Sequence, residues 1–148
     1  MYRKESRILF TLLSTVVLFF FYALYVYNRD VKGNPEILND LHFWGKTFII
    51  MVPIAIVFMI LMHIVYAILK KIITNQEMET RTDEMDKLIE LKALRGSHWI
   101  FSIGFMLAMG SQALRMETWV MFAVLIGSGL LSSLAEGIIQ IYLYRKGV

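Results

Sequence analysis

Apolar residues run along this chain in long unbroken stretches, without the alternation of a half-buried strand. Residues 8–27 are twenty positions free of formal charge, and residues 43–69 carry only Lys46, near their start. Residues 99–114 form a shorter apolar run of sixteen between His98 and Arg115, and residues 118–144 contain one acid, Glu136. A helix of about 20 apolar residues crosses a hydrocarbon core about 30 Å thick. Inside lipid each backbone amide must be satisfied within its own segment, so every run should be helical. The pattern predicts an all-α polytopic membrane protein, one domain over 1–148 with four transmembrane helices. Continuous rather than alternating apolar positions argue against a β-barrel.

Basic residues orient these segments, because Lys and Arg favour the cytoplasmic loops. The N-terminus, the 70–98 connection and the C-terminus together hold eleven of them, and the two opposite loops hold four. Both termini are therefore expected in the cytoplasm. Tyr25, Tyr27, Trp44 and Trp119 fall at the outer edge, and Tyr66, Trp99, Tyr142 and Tyr144 at the inner one, as interfacial aromatics should. The first segment has a basic start like a signal peptide. Its apolar run exceeds the usual 7–15 residues and ends in Tyr25-Val26-Tyr27-Asn28 instead of small residues, so it reads as a retained membrane helix.

The connections are short and polar, with one exception. Gly33-Asn34-Pro35 signals a turn, and Asn39 or Asp40 is placed to cap the second helix. Arg115-Met116-Glu117 is tight enough to make helices three and four an antiparallel hairpin, with Arg115 and Glu117 as a possible ion pair. The exception is 70–98. Thr82-Asp83-Glu84 reads as a helix start, followed by Met85, Leu88, Ile89, Leu91 and Leu94 at helical spacing. Glu77 with Arg81 and Asp83 with Lys87 are acid-before-base pairs four residues apart. An amphipathic cytoplasmic helix is expected here, along the membrane or docking a partner, with Gly96-Ser97 as the bend into helix three.

Residues 83–93 read Asp-Glu-Met-Asp-Lys-Leu-Ile-Glu-Leu-Lys-Ala and are followed by Arg95 and Ser97-His98-Trp99. This stretch resembles the signature of a family of small four-helix bacterial membrane proteins classed as a domain of unknown function, whose acidic motif precedes the third membrane helix. The chain departs from that pattern at Met85, where the family has arginine. The resemblance implies a bacterial inner-membrane location and a regulatory or accessory role, often beside a small helix-turn-helix regulator, and it brings no reaction with it.

Polar residues inside the apolar runs are the candidate chemistry, since a charge at the bilayer centre costs at least ~2.5–3.5 kcal/mol and turns toward neighbouring helices. Ser128, Ser132, Glu136 and Gln140 recur every fourth residue and form one stripe on helix four. Gly129, Ser133 and Gly137 form a small-residue stripe beside it, of the kind that lets helices approach or dimerise. With His63, Ser14, Thr15 and Ser102, Glu136 is expected in one buried polar layer. The sharp reading is a His63–Glu136 hydrogen bond. The plain one makes His63 a packing residue that donates to a backbone carbonyl, and Pro53 a kink. Partner or headgroup contact is assigned to Asp83, Asp86, Leu88, Ile89, Glu90 and Lys92.

Composition narrows the function classes. The chain is 57% hydrophobic and 18% charged, against about 45–50% and 25% for soluble domains. It has no cysteine, which removes disulfides, thiolate metal sites and cysteine nucleophiles. A net charge of +3, distributed at segment ends, does not point to nucleic acid. No HExxH, GxSxG or P-loop pattern occurs. Asp83, Asp86 and Glu90 share a helix face interrupted by Lys87 and read as a solvated face, with no metal. The expectation is a non-catalytic inner-membrane protein without cofactors, with membrane lipid, a further copy or a cytoplasmic regulatory protein as partner. The alternative is a small proton-linked transporter or channel subunit using Glu136 and His63.

Overall fold

The computed structural model describes residues 2–74 and 84–146. Its long elements are α1 (Tyr2–Val26), α2 (Leu41–Thr74), α3 (Glu84–Ala113) and α4 (Thr118–Lys146), with no strand among the described residues. A π-type turn (Tyr27–Val31) and a 3-10 turn (Pro35–Asn39) join α1 to α2. Three helices, α1, α2 and α4, are long and apolar enough to cross a bilayer, the make-up of a membrane protein. α3 is thirty residues long but is outside that group: beyond its charged first third, Gly, Ser, His98 and Gln112 dilute the apolar run.

Local chemistry explains the element ends. Asp40 caps α2 by accepting the His42 amide at 2.9 Å, the role expected at Asn39 or Asp40. α3 closes in a Schellman motif: the Met116 amide donates to the Ser111 carbonyl and the Arg115 amide to that of Gln112, each at 3.0 Å. Arg115 takes the left-handed conformation this requires, φ 57°. The expected Arg115–Glu117 pair does not form. Glu117 instead accepts from the Trp119 indole at 2.8 Å and lies 3.5 Å from the Asn39 amide, because the turned backbone commits it to the neighbouring loop.

The expected cytoplasmic helix between helices two and three is not a separate element. From Glu84 onward it is the beginning of α3, and the helix runs straight through Gly96-Ser97 where a bend was anticipated. The reason lies in packing. Gly96 sits against Ile139 and the Ser97 carbonyl accepts the Ser132 hydroxyl at 2.8 Å, so both residues are seams with α4. The Thr82 cap, Asp83 and the Glu77–Arg81 pair lie outside the described residues.

α3 and α4 form by far the most extensive helix pair. Small residues make this possible: Ala93, Ser97, Gly104, Ala108 and Ser111 are buried along one side of α3, which lets the backbones close up. α1 packs on α4, with Leu12 filling the space at Gly137. α2 leans mainly on α1, through Tyr22 donating to the Thr47 carbonyl at 2.7 Å and Ser6 and Tyr66 hydroxyls 3.0 Å apart. None of the most apolar stretch of α2 is buried. At the loop end α2 also reaches α4, where Trp44 stacks on Phe122 with ring centroids 4.8 Å apart.

Candidate functional site

The polar stripe of α4 faces α3 and is satisfied by it or by its own helix. Ser132 bonds across to Ser97. Ser128 donates to the Leu125 carbonyl at 2.9 Å while its Cβ occupies the space a side chain on Gly104 would need. The Gln140 amide donates to the Glu136 carboxylate at 3.3 Å. Of the small-residue stripe, Gly137 makes a close contact, Ser133 is half-buried, and Gly129 faces open space. Among the described glycines the tightest approach falls instead at Gly104, which the spacing of the α4 stripes does not single out.

His63 and Glu136 are not brought together. The His63 ring Nδ1 donates to the Met59 carbonyl at 2.7 Å, the plain reading of this residue. Its ring lines an apolar groove made by α2 alone, with Met59, Ile60 and Ala67 among its neighbours. Helix register explains the separation. The pairs Glu5–Arg145 and Leu12–Gly137 align α1 with α4, and Ser6–Tyr66 and Tyr22–Thr47 align α1 with α2. These pairings put Glu136 level with Ser14 and His63 level with Ile8 and Tyr142. Six residues of helix, about 9 Å, separate the two levels. Ser14 and Thr15 are buried but donate to the Phe10 and Thr11 carbonyls of their own helix, so the single polar layer is replaced by locally satisfied groups.

The end of the molecule where α1 begins and α4 ends holds two ion pairs, Lys4–Asp86 and Arg145–Glu5. Asp86 accepts both Lys4 Nζ, 2.6 Å from its Oδ1, and the Tyr144 hydroxyl at 2.9 Å. Arg145 Nη2 donates to Glu5 at 3.1 Å, and the Lys4 ammonium lies 5.7 Å from the Tyr144 ring centre. Three helices are tied here. Asp86 is only 9% exposed and Ile89 1%, so these two assigned contact residues face the bundle and not a partner. Their helical phase places them on the α4 side. Leu88, Glu90 and Lys92 remain exposed, and Asp83 lies outside the described residues. Asp86 is engaged by Lys4 and Tyr144, and among the described residues no three His, Cys, Asp or Glu side chains converge as a metal site. Charges at residues 4, 5, 86 and 145 were visible in the sequence as segment-end charges, but their pairing depends on register.

No family model, curated protein or solved structure matches the chain.

Proposed function

We propose that this chain is a four-span, non-catalytic protein of a bacterial inner membrane, with both termini cytoplasmic, acting as a regulatory or structural interaction partner. The observation that carries the span count is parity. Three crossings would leave the termini on opposite sides, yet Glu5 and Arg145 are paired at one end. α3 runs beside α4 for its whole length, from Asp86–Tyr144 through Ser97–Ser132 to Gly104–Ser128. It is the fourth crossing, with the excess of Lys and Arg at the terminal end setting the direction. The resemblance of residues 83–93 to a family of small bacterial membrane proteins supports the same location.

The interaction role rests on the division of the molecule. The α1–α3–α4 side is locked by close packing and ion pairs, and its polar groups bond inward. What remains for partners is the exposed inner third of α3, where Met85, Leu88, Leu91 and Leu94 stand among charges, and the open face of α2, the surface available to a further copy. The proton-linked alternative uses Glu136 and His63, which the register sets about 9 Å apart along the axis, too far to pass a proton directly between them. Proteoliposome proton flux tests the choice. The chain is expected to conduct no more than empty vesicles, and flux that Glu136→Gln abolishes would replace this reading with transport.

A further inference from the structure

α3 carries a second stripe, on the face turned away from α4. Leu88, Lys92, Arg95, Trp99, Ile103 and Met106 recur at intervals of three and four residues and so share one side of the helix. Leu88, Trp99, Ile103 and Met106 are 57–70% exposed, and Lys92 and Arg95 are exposed too. Among the described residues no helix covers this face. Two cations therefore sit within an apolar, outward-facing stripe.

Their depth is the telling point. By the pairings above, Lys92 and Arg95 are level with residues 138 and 135 of α4 and with Leu12 and Thr15 of α1. There α1 is uncharged and α4 carries only the acid Glu136, and Thr15 lies eight residues beyond Arg7, about 12 Å along the axis. The apolar part of α3, residues 99–113, covers about 22 Å, short of a core of about 30 Å. A short apolar stretch draws the bilayer surface inward around it. Side chains on a helix lean toward its N-terminus, here the terminal end, so Lys92 and Arg95 reach toward the headgroups while Trp99 and Ile103, deeper along the helix, stay beside acyl chains.

We infer that this stripe binds an anionic phospholipid, its phosphate held by Lys92 and Arg95 below the surrounding headgroup plane and its chains lying on Trp99, Ile103 and Met106. The inference rests on the four-span reading. It commits to lipid because the charges are positive on a face otherwise made for acyl chains, and because anionic headgroups enrich the cytoplasmic leaflet.

The test uses the full chain in phosphatidylcholine vesicles with or without one-fifth phosphatidylglycerol, scored first for alkali-resistant insertion and then, by native mass spectrometry, for retained lipid. Insertion into both vesicles with selective retention of phosphatidylglycerol is expected. Each basic side chain at an anionic surface favours binding about fivefold, so Lys92→Gln with Arg95→Gln should weaken retention about thirtyfold, whereas the exposed Lys46→Gln should not. Insertion without lipid preference, or a double variant that keeps the preference, overturns the proposal alone. A double variant that dissociates a dimer without changing lipid retention also overturns it, in favour of a second copy. Failure to insert in either vesicle overturns the four-span reading itself.

Discussion

Replacing Gly104 by alanine probes the seam on which the hairpin depends. A Cβ at this position would stand 2.1 Å from Ser128 Cβ and 2.7 Å from its Oγ. Ordinary contact between carbons begins at about 3.5 Å, so the two backbones must part by more than an ångström. Overpacking of this kind costs about 1–3 kcal/mol. The same parting stretches the Ser132–Ser97 bond from 2.8 Å, and an interhelical hydrogen bond in a membrane bundle contributes about 0.6 kcal/mol. Alanine also brings about 0.8–1.0 kcal/mol of helix propensity, which offsets part of the loss. Gly110→Ala supplies the control: it lies on the same helix, gains the same propensity, and meets nothing within 4 Å.

The two variants should therefore differ by about 2–4 kcal/mol, with Gly104→Ala destabilised and Gly110→Ala neutral to slightly stabilised. Equilibrium unfolding in mixed micelles of rising dodecyl sulfate fraction, followed by helical circular dichroism, reads the difference. Equal midpoints for the two variants would refute the close crossing at Gly104 and the packing argument built on it.

Other perturbations test separate parts of the structure by the same unfolding measurement. Asp86→Ala removes the acceptor for Lys4 and Tyr144 and should cost about 1–3 kcal/mol, while Lys4→Gln, at the more exposed partner, should cost less than about 1 kcal/mol. Added salt should narrow the gap between wild type and Asp86→Ala, since screening weakens the ion pair. Tyr22→Phe deletes the bond to the Thr47 carbonyl and should lower stability by about 1 kcal/mol, with a matching rise in amide exchange along α2. Arg115→Gly relieves a left-handed conformation that costs a side chain about 1–2 kcal/mol, partly offset by the backbone freedom of glycine. A small net stabilisation is expected, and a loss would show that Arg115 contributes contacts beyond its backbone.

Hydropathy made four helices legible because lipid imposes length and continuity on each segment, and Asp40 and the 115–117 turn followed from local capping chemistry. The inward face of α4 was legible too, since serine at every fourth residue can be satisfied only by a neighbouring helix or its own backbone. What periodicity could not supply was register. Glu136 and His63 share a similar distance from their own helix ends, but α2 and α4 are offset through α1, and the two residues end on different levels. Residues 84–95 were legible only in part for a related reason. Leu88, Leu91 and Leu94 read as an apolar face and stay exposed, but nothing in their spacing showed that α4 takes the phase of Asp86, Ile89 and Ala93, where small residues further along α3 admit a closer backbone. Gly104 gave no sequence signal, since one glycine in an apolar run has no partner until the opposing helix is placed.

Side-specific labelling measures most directly whether α3 crosses the membrane. The chain contains no cysteine, so single substitutions Glu36→Cys, Glu84→Cys, Met116→Cys and Lys146→Cys, all at exposed positions, report without background in sealed inverted vesicles. Positions 84 and 146 should react with an impermeant maleimide from the cytoplasmic face, and positions 36 and 116 only after the vesicles are opened. Labelling of 84 and 116 from the same face would contradict the account, because α3 would then lie on the membrane without crossing it.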